Sequence, residues 1–134
     1  MSQFEQIIVT CNEWQEITFA VDNSKLTEKD WHDLNSFWSG AKSRVSEASG
    51  NVKHAVLKML AEHCSYLQIA EQLNSYGVMK AFDWDDRQGQ EGWPKMDGSK
   101  GILIQHVDSY EITAEKYLKI KKVEALPNLP KGNL

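Results

Sequence analysis

The sequence predicts an α+β fold: an antiparallel sheet, made from an N-terminal hairpin plus two or three C-terminal strands, with a helical hairpin packed on one face. Three observations carry this. Apolar residues alternate with period two near the N-terminus and again after residue 101, as strands with one buried face require. Between them, residues 28–76 place apolar side chains at spacings of three and four, the helical period. A break of about three residues divides that helical stretch, which makes its halves antiparallel neighbours.

The first element is a hairpin over residues 4–21. Ile7, Val9 and Cys11 fall on one face of its first arm, and Ile17, Phe19 and Val21 on one face of its second, around a turn at Asn12-Glu13. Asp22-Asn23-Ser24 ends the second arm with turn-forming residues. A helix then starts at Thr27, a capping residue answered three positions on by Asp30. Trp31, Leu34, Trp38, Ala41 and Val45 continue it as a single stripe, widened by Phe37, to Ser49-Gly50-Asn51. The second helix is expected over 52–76, with Val52, Val56, Met59, Leu60, His63, Leu67, Ala70 and Leu73 on one face and Gly77 as a left-handed stop. Beyond it, VMKAFDW reads as a short strand, ILIQHV (102–107) as a clearer one, and YLKIKKV (117–123) as a third, with a helical reading open there. Residues 1–126 thus form one domain. The segment 127–134, with Pro127 and Pro130, is expected to be extended or disordered.

Composition sets outer limits. A chain of 134 residues with 41% hydrophobic and 25% charged residues matches an ordinary globular domain that buries about two thirds of its unfolded surface. A net charge of −4 argues against a protein built to coat nucleic acid. No apolar run approaches the roughly 18 residues of a membrane span, and the stretch MSQFEQIIVT lacks the basic start of a secretion signal. Cys11 and Cys64 have no metal-type spacing and are expected as reduced core residues.

The stretch FDWDDRQGQEGWPKMDGSKGI (82–102) stands apart. It holds four of the eight glycines, two of the five tryptophans, five acids and three bases. A connection this long without secondary structure is uncommon in a small domain unless it is functional or disordered. Trp93-Pro94 and Met96 give this one apolar material to fold upon, in the manner of an Ω-loop. Two readings follow: Trp84 and Trp93 cover the open end of the core, or the loop is a binding surface. As calcium ligands the acids fail, since counting from Asp83 places Arg87 at the fifth loop position and Gln88 where glycine is required. A looser site from Asp83, Asp85, Asp86 and Glu91 stays open. Gly98-Ser99-Lys100-Gly101 leads into a strand rather than a helix, so Asp97-Gly98 reads as a tight turn and not a phosphate cradle.

Other candidates are weaker. His54 and His63 are nine residues apart on one helix, half a turn out of phase, and point in opposite directions. Lys116, Lys119, Lys121 and Lys122 form a basic cluster, read first as protection of a sheet edge and second as a local nucleic-acid contact. No nucleophile elbow, zinc motif or carboxylate pair is defined by spacing, so neither an enzyme nor a cofactor is expected.

The run FWSGAKSRVSEASGNVKHAVLKMLAEHC, then NSYGV, then the 82–102 stretch, resembles a family of small phage and prophage proteins. The resemblance covers roughly residues 35–104 and is most specific in GQEGWPKMDGS. It implies a phage-encoded protein made in a bacterial cytoplasm, and it carries no activity, cofactor or catalytic residue. Small accessory phage proteins commonly bind host proteins, including defence components. The reading that follows is a non-enzymatic, homodimeric binding protein whose contact surface is the 83–101 loop. Trp84 and Trp93 would be its anchors, with Asp85, Asp86, Arg87 and Glu91 setting polar specificity. The alternative is a protein that sequesters a nucleotide-type small molecule, with Trp93 stacking on it and Lys95 and Lys100 meeting its phosphate. A metal-dependent enzyme using Asp83, Asp85 and Asp86 is the third reading.

Overall fold

The computed structural model describes residues 3–12 and 14–130. Strands β1 (Phe4–Asn12) and β2 (Gln15–Asp22) form the expected hairpin, and β3 (Ile102–Asp108) and β4 (Lys119–Leu126) flank it, giving an antiparallel sheet of order β3-β2-β1-β4. The alternation read in the sequence sets which face is buried: Ile7, Val9, Ile17, Phe19, Val21, Ile102 and Ile104 are all sealed in the core. The expectations for Glu13 in the hairpin turn, for the Cys11 side chain and for residues 131–134 lie outside the described residues. Cys64 is a buried free thiol, and burial pushes its pKa far up, away from reactivity.

The helical layer consists of α1 (Glu28–Ser36), α2 (Ala41–Glu47), α3 (Val52–Ala70) and α4 (Ser75–Ala81). The capping box at the start of α1 is present: the Thr27 hydroxyl accepts from the Asp30 amide at 3.1 Å, and the Asp30 carboxylate accepts from the Thr27 amide at 2.8 Å. The 19-residue α3 is the spine of the core, burying Val52, Val56, Leu60, Cys64 and Leu67, and α1 and α2 both pack on it. Lys53, near its start, pairs with Glu5 of β1 and so ties this layer to the sheet.

Two expectations about the helices are corrected. The single helix from Thr27 to about residue 48 is broken after Ser36, so Trp38 leaves the stripe while Val45 still packs against the core. Gly40 takes a left-handed φ of 84°, and Arg44, only 8% exposed, folds back over the end of α1. Its guanidinium donates to the Asn35 amide oxygen (2.8 Å) and to the backbone oxygens of Asn35 (2.7 Å), Trp38 (2.9 Å) and Ser39 (2.6 Å). One of the carbonyls that the end of α1 leaves unpaired, that of Asn35, is thereby satisfied along with two in the turn that follows, and Phe37 and Trp38 are turned outward.

The second correction concerns residues 71–84. Helix α3 stops at Ala70, where Gln72 rather than Gly77 supplies the positive φ, 57°. Asn74 then caps α4 through a 2.8 Å bond from the Gly77 amide, so Gly77 lies inside a helix and VMKAFDW is not a strand. The buried side chains Val78, Met79 and Phe82 recur at one- and four-residue intervals, a helical spacing. At 115–117 a single 3₁₀ turn, Glu115–Tyr117, precedes β4, with Leu118 buried and Ile120 packed against the core.

Candidate functional site

The long loop leaves α4 through an electrostatic clamp. The Asp83 carboxylate accepts from the backbone amides of Asp85 (2.9 Å) and Asp86 (3.1 Å) and lies 3.0 Å from Lys80 Nζ and 3.5 Å from Lys95 Nζ. Lys80 also reaches Asp86 at 3.2 Å, Lys95 reaches Asp85 at 2.6 Å, and Arg87 pairs with Asp86 at 3.0 Å. Three of the four acids of the looser metal site, Asp83, Asp85 and Asp86, therefore have a cation already in place. Among the described residues no group of three or more His, Cys, Asp or Glu side chains is arranged to hold a metal ion.

The Lys80 ammonium, aided by the two backbone amides, holds the Asp83 carboxyl well below the usual carboxylate range. A group whose folded pKa is depressed stabilises the fold above its unfolded pKa, near 4, and that contribution fades as pH falls through the folded value. Asp83→Asn is thus expected to weaken the parent at pH 7 and to flatten the loss of stability between about pH 5 and pH 2. Urea unfolding midpoints over that interval measure it, and parallel curves for the two proteins would remove the clamp from the account.

Beyond the clamp the two tryptophans separate. Trp93 is sealed, 4% exposed, within the hydrophobic core. Trp84 is 51% exposed, yet it is fixed in place: its Nε1–H donates to the Trp93 carbonyl at 2.8 Å, and its ring lies flat on Gly89. An added Cβ at Gly89 would come within 2.2 Å of that ring, and the residue's φ is 70°. Gly92, φ 85°, likewise allows a close approach by Phe37 and Trp38, which meet edge-to-face with centroids 4.8 Å apart. Gln90 anchors the middle of the loop, its amide oxygen 2.8 Å from His63 Nε2. The far end closes as the expected turn: Asp97 accepts from the Ser99 amide at 3.0 Å, and the Gly98 amide donates to the Ile102 carbonyl at 2.9 Å.

Trp93 is the shared wall of two clefts. One, about 520 Å³, opens between the loop and α1 and is lined by Trp84, Pro94 and Lys100 facing Leu26, Leu34 and Asp33. The other, about 480 Å³, lies between Trp38, Met59, Tyr66 and Ile112, with Glu62, Arg44 and Glu115 beneath. Of the residues expected at the site, Trp84, Asp85, Asp86, Arg87, Glu91 and Lys100 are exposed, Lys95 is spent on Asp83 and Asp85, and Trp93 is buried apart from the edge it shows the two clefts. With Trp93 sealed and Lys95 paired, the stacking and phosphate contacts of the nucleotide reading are not assembled at this place. The sequence reading missed Phe37 and Trp38 as surface groups. Their signal is Ser39-Gly40, a helix-breaking pair directly behind two aromatics.

An antiparallel sheet backed by helices, with a braced loop that carries aromatic rings to the surface, defines a small α+β protein organised around an exposed aromatic face. None of its described helices is long and apolar enough to cross a membrane. Residues 16–120 match the family described as "Protein of unknown function (DUF2528)", and the chain belongs to that family. Over 121 residues, spanning 90% of this chain and 98% of the relative, it is 40% identical to protein ea10 of Escherichia phage lambda. The same identity and coverage hold for the lambda prophage-derived protein ea10 of Escherichia coli O6:H1 (strain CFT073). No solved structure matches the chain. The resemblance to small phage and prophage proteins is thereby established, and the protein is phage-derived.

Proposed function

We propose that this phage-derived protein acts without catalysis, by docking on a protein of the bacterial host, a defence component being the target class its origin suggests. The contact surface is the aromatic face made by the 83–101 loop and the turn after α1. The observation that carries this reading is Trp84, half-exposed and yet immobilised by Gly89 and the Trp93 carbonyl. An aromatic side chain already held in one rotamer loses little entropy on docking, and Trp and Tyr carry a large share of interface energy. Phe37, Trp38 and Tyr66 extend the exposed apolar area across the buried Trp93, and Asp85, Asp86, Arg87, Glu91 and Lys100 supply a polar rim.

The test is quantitative co-purification from the host bacterium with parent, Trp84→Ala and Phe37→Ala. A host protein held by the parent in near-stoichiometric amount, and reduced about tenfold or more by each variant, supports the reading. Identical sets of captured proteins for all three overturn it. Native mass spectrometry of the gently purified protein separates the alternative: a non-covalent adduct of small-molecule mass would favour sequestration. The same spectrum reads whether the chain is a dimer.

A further inference from the structure

We propose a second site, distinct from the aromatic face and independent of the docking reading: a phosphate-binding cleft centred on Lys58. The cleft, about 420 Å³, lies where α3, the end of α2 and the start of β4 meet. Lys58 projects into it from α3 with His54 one turn before it, Lys116 from the 3₁₀ turn and Lys119 from the first position of β4, and Ser49 joins them from the turn after α2.

Lys58 is the key observation. It is only 5% exposed, yet among the described residues its ammonium makes neither a hydrogen bond nor an ion pair. Lysines are almost never buried to this degree unless paired, and Lys58 forms no ion pair even with Glu115, the carboxyl that feels its charge. The ammonium is also not among the atoms sealed from solvent, so the stem is buried and the tip opens on the cleft.

The surroundings select an anion. Of the four lysines clustered in the sequence at 116–122, Lys121 is taken by Glu16 and Lys122 by Glu124 at 3.3 Å. Lys116 and Lys119 form no ion pair among the described residues, Lys116 lying 5.1 Å from the Tyr117 ring centroid, and these are the two that line the cleft. Three ammonium groups line the cleft with one carboxylate, Glu47, and a second, Glu115, lies close enough to feel the Lys58 charge, so the cleft keeps a net positive charge that suits an anion. The walls carry no tryptophan, tyrosine or phenylalanine, so the cleft is built to hold the phosphate group rather than to stack a base. The shared chemistry is a phosphate anion, either the free ion or the end of a small phosphomonoester.

The experiment is an amide NMR and thermal-unfolding titration of the whole chain with inorganic phosphate, against sodium chloride at equal ionic strength. Saturable shifts at residues 48–49, 58 and 116–119, with a raised unfolding midpoint, are expected for phosphate alone. Lys58→Met, which keeps the buried stem and removes the charge, should weaken binding by roughly tenfold or more. Where that variant does not fold, Lys116→Ala/Lys119→Ala at exposed positions carries the same expectation. Glycerol 3-phosphate distinguishes the sources: tighter binding than phosphate identifies a phosphomonoester, weaker binding the free ion. Equal responses to chloride and phosphate, or phosphate affinity unchanged in the lysine variants, overturn the site.

Discussion

Arg44→Met is expected to destabilise the protein by about 3 kcal/mol, or roughly 10 °C in midpoint. The guanidinium donates four hydrogen bonds, and the two that reach Asn35, at 2.8 and 2.7 Å, are fully buried. Methionine replaces most of the buried stem but leaves those acceptors unpaired, at about 1–3 kcal/mol each. Water can reach the carbonyls of Trp38 and Ser39, so these add less. Arg44→Lys should recover little, because a single ammonium cannot span the fork of acceptors. Urea unfolding measures the loss. Asn35→Ala, tested alone and with Arg44→Met, should show strong non-additivity, since both variants dismantle one network. Additive effects would mean that the guanidinium does not hold the turn.

Gly92→Ala is expected to separate stability from binding. A left-handed backbone costs alanine about 1 kcal/mol, and the new methyl would stand 2.6 Å from Phe37 Cδ1 and 2.9 Å from Trp38 Cζ2. Both rings are surface groups and can swing outward, so the total loss of stability should stay near 2 kcal/mol. The aromatic face, however, is broken at its middle. Partner retention should fall by about tenfold or more, comparable to Trp84→Ala, while the chain remains folded at 25 °C. Full retention by a folded Gly92→Ala would place the contact surface elsewhere.

The sheet was legible because its code is local. Alternation at Ile7 and Val9, at Ile17, Phe19 and Val21, and at Ile102 and Ile104 fixes both the strands and the buried face. The Thr27–Asp30 box marked one helix start for the same reason. The break at Ser36 was hidden because it depends on an arginine eight residues on folding back over Asn35, and a lone arginine in a helical pattern reads as a surface group. At 74–77 two local signals competed, the Asn74 cap and the Gly77 stop, and packing of Val78, Met79 and Phe82 into the core decided for the cap. Misreading that helix concealed Lys80, and with it the pairing of Asp83 and Asp86. The loop itself was marked out by its length and glycine content. Which indole would be sealed is a tertiary fact, set by a backbone carbonyl nine residues from Trp84, and spacing does not encode it.

The strand order has a kinetic consequence. β1 and β2 are made first but occupy the middle of the sheet, and their outer neighbours follow only after all four helices. Phe4 pairs with Leu126, and Val21 with Ile102. While the chain is being synthesised, the hairpin therefore waits with both flanks unpaired, a template for wrong partners. Closure demands contacts between distant parts of the chain, which slows folding and concentrates the aggregation hazard in the interval before β4 emerges. The yield of folded protein should therefore depend on growth temperature and on chaperones more than on the stability of the finished fold.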